Sequence, residues 1–226
     1  LNAAGSNLKN LTELRSGGDR PNFDEAWFFW NTFPEFASGP GNFLFDLAIG
    51  DGTLPRSPGV GVDNADTVYQ FDTVPDLTPA EQALNDDIVR VSADPQGRHK
   101  NGLAQVPKIS GDISVPVLTL HNLGDLFVPV HNEIVYAERV AEQGKSALLV
   151  QRAIRGVNHC GFTGIELATA FGELVAWVEY GVRPDGDDWL DPVAVAADDF
   201  GCAFTDFATP PFPIAEDGHL LAAPCP

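Results

Sequence analysis

The chain has 226 residues, is 44% hydrophobic, and sets 13 basic against 32 acidic side chains for a formal net charge of −19. That apolar content supports a real core and excludes disorder as the default state, while the charge repels phosphate backbones and anionic lipid surfaces. Nucleic acid and membrane are therefore not expected partners, and no apolar run approaches the length needed to span a bilayer. The first residues, Leu1-Asn2-Ala3-Ala4-Gly5, have neither the basic nor the apolar region of a leader, and the sequence contains no Met. The expectation is that an upstream part has been removed.

Residues 1–112 are dense in Gly and Pro, lack regular alternation of strand and helix, and carry half of the aromatic side chains, most of them crowded into one stretch, which predicts an inserted cap or lid. Phe23, Trp27, Phe28, Phe29, Trp30, Phe33 and Phe36 crowd together just after Gly17-Gly18-Asp19-Arg20-Pro21. Aromatic residues at helical spacing ordinarily fill a core, and a helix forming a lid could also offer Trp27, Phe28 and Trp30 to a substrate. Thr78-Pro79-Ala80-Glu81 is a capping box with proline at the first helical position, predicting a helix that runs to about Ala93, before Pro95.

From residue 113 to residue 182 the pattern turns regular. It predicts a strand over 115–120, a loop with Asp125, a helix over 132–142 that turns Ile134, Val135, Ala137 and Val140 inward, and a strand over 147–153. A loop with His159 follows. Thr163-Gly164-Ile165-Glu166 is a second capping box, opening a helix with an apolar stripe of Leu167, Phe171, Leu174, Val175 and Val178 that Gly181 ends. Strand, loop and helix taken twice make a parallel α/β unit.

Residues 183–226 shift to Asp, Pro and Ala and read as an irregular tail. Asp185, Asp187, Asp188 and Asp191 lack the spacing of a calcium loop and read as a solvated acidic turn, so neither metal nor cofactor is expected. Cys202 and Cys225 bracket the tail at a spacing that suits a disulfide worth about 3 kcal/mol, which implies an oxidising, extracellular setting. Cys160 is left over.

The chemistry lies in two loops. A hydrolase base is an imidazole held by a carboxylate on one ring nitrogen, with the other nitrogen free to take a proton from a nucleophile. Asp125 and His159 each follow a predicted strand, in the order and at the separation that one helix and one strand require. His121 precedes the acid, His131 abuts a helix start, and His99 and His219 lie in irregular polar segments, so these fit the role less well.

With Gly124-Asp125 and Asn158-His159-Cys160 in place, residues 113–181 resemble the carboxyl-terminal third of an α/β-hydrolase. The resemblance implies an α/β fold with a parallel sheet, and residues 1–112 as the cap inserted before the acid strand. It also implies a Ser-His-Asp triad to which this chain gives Asp125 and His159. The His159-Cys160 pair is similar to the tannase and feruloyl esterase group, which implies a disulfide from Cys160 to a cysteine preceding the serine.

The nucleophile is missing: none of the eight serines lies in Gly-x-Ser-x-Gly. Ser146 follows the acid and enters a strand, and Ser16 has glycines after it but no apolar strand leading in. Two strands and two helices also leave a parallel sheet uncovered. The expectation is a portion of a secreted serine hydrolase acting on a small-molecule or polymeric ester, with an amino-terminal fragment of the same precursor as partner and source of the serine. The alternatives are a secreted non-catalytic domain that binds through its aromatic cap and a peptidase on the same fold.

Overall fold

Val117–Asn122 (β1) and Leu149–Ile154 (β2) are apolar runs of the kind that bury within a parallel sheet. They pair in parallel, from Val117 opposite Leu149 to Asn122 opposite Ile154. The computed structural model describes residues 1–32, 60–98, 109–208, 211–212 and 225–226, so Phe33, Phe36, His99 and His219 lie outside the described residues. Two compact units are present, one of Leu1–Leu14 with Glu35–Ile109, the other of Arg15–Pro34 with Ser110–Pro226.

In the chain, α1 (Ala3–Ser16) and α2 (Phe23–Thr32) come first. A later helix, α3 (Pro79–Asp87), starts as its capping box dictates, with the Thr78 hydroxyl accepting from the Glu81 N–H and the Glu81 carboxylate accepting from Thr78. The Phe71 N–H and the two Thr78 donors on that carboxylate hold its pKa below the ordinary range. The helix stops at Asp87, short of the expected Ala93. Ile88 turns extended, and the chain leaves to bond with the Asn64 segment, where Asn64 N–H donates to Val91 O and Val91 N–H donates to Asn64 Oδ1. Arg90 secures the departure by donating to the carbonyls of Asn64, Thr67 and Asn85.

In the unit holding the sheet, both strands begin about two residues later than the apolar pattern predicts. Pro116 lacks an N–H for the ladder, and residues 146–148 are spent on a 3-10 turn closed by Leu148 N–H donating to Lys145 O. Helix α4 (His131–Glu142) crosses between the strands and buries Ala137 and Val140 against Leu149, Ile113 and Val117. A second cluster joins Leu123, Val130 and Ala153 to Trp189, Val195 and Phe200 from the tail. The tail is thus a contributor to the core. Within it Asp191 caps a short helix, α6 (Pro192–Val195), after α5 (Gly164–Tyr180) has closed on Gly181 in the left-handed region at φ 73°. Phe162–Thr163 (β3) pairs antiparallel with Pro211–Phe212 (β4).

The stripe expected to bury α5 does not do so. Phe171 is 69% and Val178 61% exposed, with Leu167 and Val175 also exposed, whereas Glu166, Ala170 and Trp177 face inward. The capping box sets this rotation, because Thr163 and Glu166 are themselves buried and fix which side of the first turn faces the core.

The two edges of the sheet differ. Along β2, Asp187 N–H donates to Gln151 O, Ala153 N–H donates to Asp187 Oδ2, and Arg183 donates to Leu149 O, so every β2 residue is buried. Four of the six β1 residues are only half-buried, and among the described residues no strand pairs on its other side. Arg155, 1% exposed, holds the tail by donating to the carbonyls of Phe200 and Asp198 while its backbone N–H donates to Thr205. Cys202 and Cys225 are joined in a disulfide across a separation of 23 residues.

Two outcomes follow from this packing. Replacing Cys202 and Cys225 by alanine lowers stability by about 3 kcal/mol, read from urea unfolding, and reductant produces the same loss in the wild type alone. Burial pushes the Asp187 carboxyl up to about 6, against the Ala153 N–H and Arg152, which favour its charged form. Its folded pKa exceeds the unfolded value, so the native state must ionise it at a cost, and stability falls as pH rises from about 4 to beyond 6. Asp187→Asn keeps an acceptor for Ala153 and flattens that part of the urea midpoint against pH.

Candidate active site

A parallel pair delivers the loops after both strands to one end of the sheet. Here the ladder continues past the strands, with Leu123 N–H donating to Ile154 O at 2.9 Å and Gly124 N–H donating to Gly156 O at 2.8 Å. Such close approach requires glycine at 124, where a Cβ would sit 2.6 Å from Val157 Cα and 2.9 Å from Ala26 Cβ. The loop carrying Asp125 and the loop carrying His159 therefore leave the sheet in backbone contact.

Asp125 is 3% exposed. Its Oδ1 accepts from the N–H groups of Phe127 at 2.9 Å and Val128 at 2.8 Å, and its Oδ2 lies 2.7 Å from Nδ1 of His159. A carboxylate only accepts, so this bond takes its proton from Nδ1, and in the neutral ring that tautomer leaves the lone pair on Nε2. The His159 side chain is 40% exposed, which leaves that lone pair open to an incoming group. The two residues expected as acid and base are thus joined, one buried and one accessible.

Several groups fix this geometry. The indole N–H of Trp30, from α2, is shared between the carbonyls of Gly124 at 2.9 Å and Val157 at 2.8 Å, one in each loop. Its ring stacks on Phe127 at 6.5 Å, and Phe127 packs on the His159 imidazole at 5.0 Å. Arg20 donates through Nε to Leu123 O, just before the acid loop. The Asn122 side chain bonds the backbone of Gly161, accepting from its N–H at 2.9 Å and donating to its carbonyl at 3.4 Å.

The remaining candidates fall as follows. Trp30 is buried beneath the acid loop, Trp27 is half-buried, and Phe28 is 52% exposed. Cys160 is exposed and in the left-handed region at φ 54°, with Sγ 3.6 Å from His159 Nε2. Burial, then the Asp125 charge, push its thiol up, so at neutral pH it is an S–H group. Ser16 is buried with its hydroxyl accepting from Arg20, and Ser146 lies before the first residue of β2, a strand's length from His159. His131 is exposed at the start of α4, whereas His121 is buried at the end of β1.

Asp187, Asp188 and Asp191 spend carboxylate oxygens on the N–H groups of Ala153, Leu190 and Val193. Among the described residues no cluster of three or more His, Cys, Asp or Glu is placed to hold a metal, and no helix is long and apolar enough to cross a membrane. A cavity of about 270 Å³ lies along β2, lined by Gln151, Arg183, Asp187 and Trp189 among others, and shares no residue with the Asp125 and His159 pair.

Mixed helix and strand, a small parallel sheet and a carboxylate–imidazole pair at its carboxyl end define the class of this molecule. No family model matches the chain, and no solved structure matches it. Over 90 residues, 39% of this chain, it is 29% identical to a protein of Xanthobacter agilis named o-phthalyl amidase. The matched stretch spans 20% of that protein's length.

The sequence pattern signals the ring of Trp30, whereas its indole N–H is what ties the two loops. Trp30→Phe keeps most of the buried ring and strands the Gly124 and Val157 carbonyls. The expected loss is about 1–3 kcal/mol in urea unfolding, with faster amide exchange in both loops.

Proposed function

We propose that this chain supplies the acid and the base of a serine hydrolase of the α/β-hydrolase type. Asp125 orients His159, and Nε2 of His159 is the general base for a serine hydroxyl that lies outside this sequence. The observation that carries the proposal is the 2.7 Å bond between a buried carboxylate and Nδ1 of an accessible imidazole at consecutive ends of two parallel strands.

In the reaction, Nε2 takes the hydroxyl proton as the serine oxygen bonds to the substrate carbonyl carbon, and Asp125 stabilises the imidazolium that forms. The imidazolium then gives that proton to the departing group as its bond to the carbonyl breaks. Water attacks the acyl-enzyme by the same route and restores the serine. No proton passes to Asp125, whose task is to hold the ring and its tautomer.

The substrate class is a carboxylic ester, small or polymeric. The likeness to a protein named as an amidase favours a second reading, a carboxamide, since the same acid and base serve either leaving group. The serine belongs to a further stretch of polypeptide, in keeping with the half-buried β1 and the exposed stripe of α5, which leave room for more sheet. Cys160, exposed beside the base, is available for a disulfide to such a stretch. The Cys202–Cys225 disulfide supports a secreted, extracellular setting.

A fluorophosphonate probe applied to the protein purified from its native source is expected to label serine, and His159→Ala is expected to abolish labelling. Absence of labelling in folded wild-type protein overturns the proposal. Comparing an aryl ester with the matching anilide separates the two substrate readings.

A further inference from the structure

His121 is 9% exposed at the end of β1, and its two ring nitrogens face two acceptors. Nε2 lies 2.8 Å from the carbonyl oxygen of Val128, and Nδ1 lies 3.5 Å from Oε1 of Glu133. A neutral imidazole has one N–H and one lone pair, so either tautomer would aim a lone pair at a buried acceptor. Only the doubly protonated ring can donate to both.

Glu133 is held in place for that pairing. Its Oε2 accepts from the Thr119 hydroxyl at 2.7 Å and from the Gln151 amide, which also donates to the Glu133 carbonyl at 3.0 Å. The link to the site is the Val128 residue. Its carbonyl accepts from His121, its N–H donates to Asp125 Oδ1 at 2.8 Å, and Asp125 Oδ2 holds His159.

We infer that His121, as an imidazolium paired with Glu133, is a positioning residue for the Asp125 and His159 pair. It fixes the acid loop through Val128 and releases it on losing its second proton. This deepens the acid–base reading above and rests on it.

The surroundings agree in direction. Burial disfavours the charged ring, but the Glu133 bond and charge, the Val128 carbonyl and the Asp125 charge outweigh it, and the His121 pKa is raised from 6.5. For Glu133 burial is likewise outweighed, by the bonds of His121 and Thr119, and its pKa is lowered. The groups facing the ring are Glu133 from α4, Asp125 and Val128 from the acid loop, and the edge of Trp189 from the tail at 6.4 Å. A raised histidine pKa gives support that is complete below the unfolded value and lost as pH climbs through the folded one. The acid loop should therefore loosen on the alkaline side.

The test is NMR of the whole chain labelled with ¹⁵N-histidine, titrated through neutral to alkaline pH, with amide exchange followed at Phe127 and Val128. Below a midpoint above 6.5, both His121 nitrogens are expected to be protonated. Above it, exchange at both amides should accelerate about tenfold or more beyond the intrinsic pH dependence, and the His159 Nδ1 proton signal should fade in step. Glu133→Gln should move the midpoint and the onset of exchange down together by about one pH unit or more, and His121→Phe should give fast exchange at every pH.

A neutral, single-tautomer His121 at pH 6, below the ordinary histidine value, overturns the inference, as does loop exchange indifferent to its titration. If a variant fails to fold, by circular dichroism, the wild-type titration alone decides. No substrate enters these measurements, so a chain that titrates as described but shows no serine labelling refutes the hydrolase reading and leaves the His121 linkage standing.

Discussion

Everything at the site depends on the parallel register of β1 and β2, carried two steps beyond the strands by the bonds Leu123 to Ile154 and Gly124 to Gly156. A side-chain bond between two loops is worth having only if the loops already stand at the right separation, since ordering them costs more than one bond returns. Here the separation is set by backbone, and the Trp30 indole N–H and the Asn122 amide reinforce it from either side. Asp125 then meets His159 with little left to order. The burial of Asp125 keeps water from competing for its carboxylate, while the exposure of His159 leaves its outer nitrogen usable.

Much of this was legible in the sequence because local rules wrote it. The capping boxes at Thr78 and Thr163 and the left-handed Gly181 follow from contacts a few residues apart, and Asp125 and His159 are each marked by the apolar run before them, although the bond that joins them spans 34 residues. What the sequence hid was long-range. The end of α3 at Asp87 depends on Asn64 and Arg90 drawing the chain away, and the rotation of α5 depends on which residues of its first turn are buried. Trp30 and His121 give little signal for the same reason, since they act through nitrogens that meet partners far along the chain or across the loop. The polar atom of an aromatic side chain leaves no periodic signal.

The two sides of the sheet are covered unequally. The tail closes β2 with Asp187 and Arg183 and adds Trp189, Val195 and Phe200 to the core, whereas β1 stays half-buried and α5 shows Phe171 and Val178 to solvent. A parallel sheet is stable when both faces and its inner strands are covered, and the open side is the one to which the proposed function assigns the polypeptide that carries the serine. The high negative charge adds solubility and offers no attraction for nucleic acid or anionic lipid. Under the hydrolase function proposed above, a neutral or cationic substrate is the one least opposed by long-range forces.

The role proposed for Asp125, to hold His159 as a base, is tested most directly by kcat/KM for an aryl ester with Asp125→Asn, using protein purified from its native source. The Phe127 and Val128 N–H groups claim the carbonyl oxygen of an asparagine here, which leaves its NH2 to face Nδ1 and select the tautomer with Nε2 protonated, so the expected loss is on the order of 10⁴-fold with the fold intact. A folded Asp125→Asn protein that hydrolyses the ester at the wild-type rate would contradict the account.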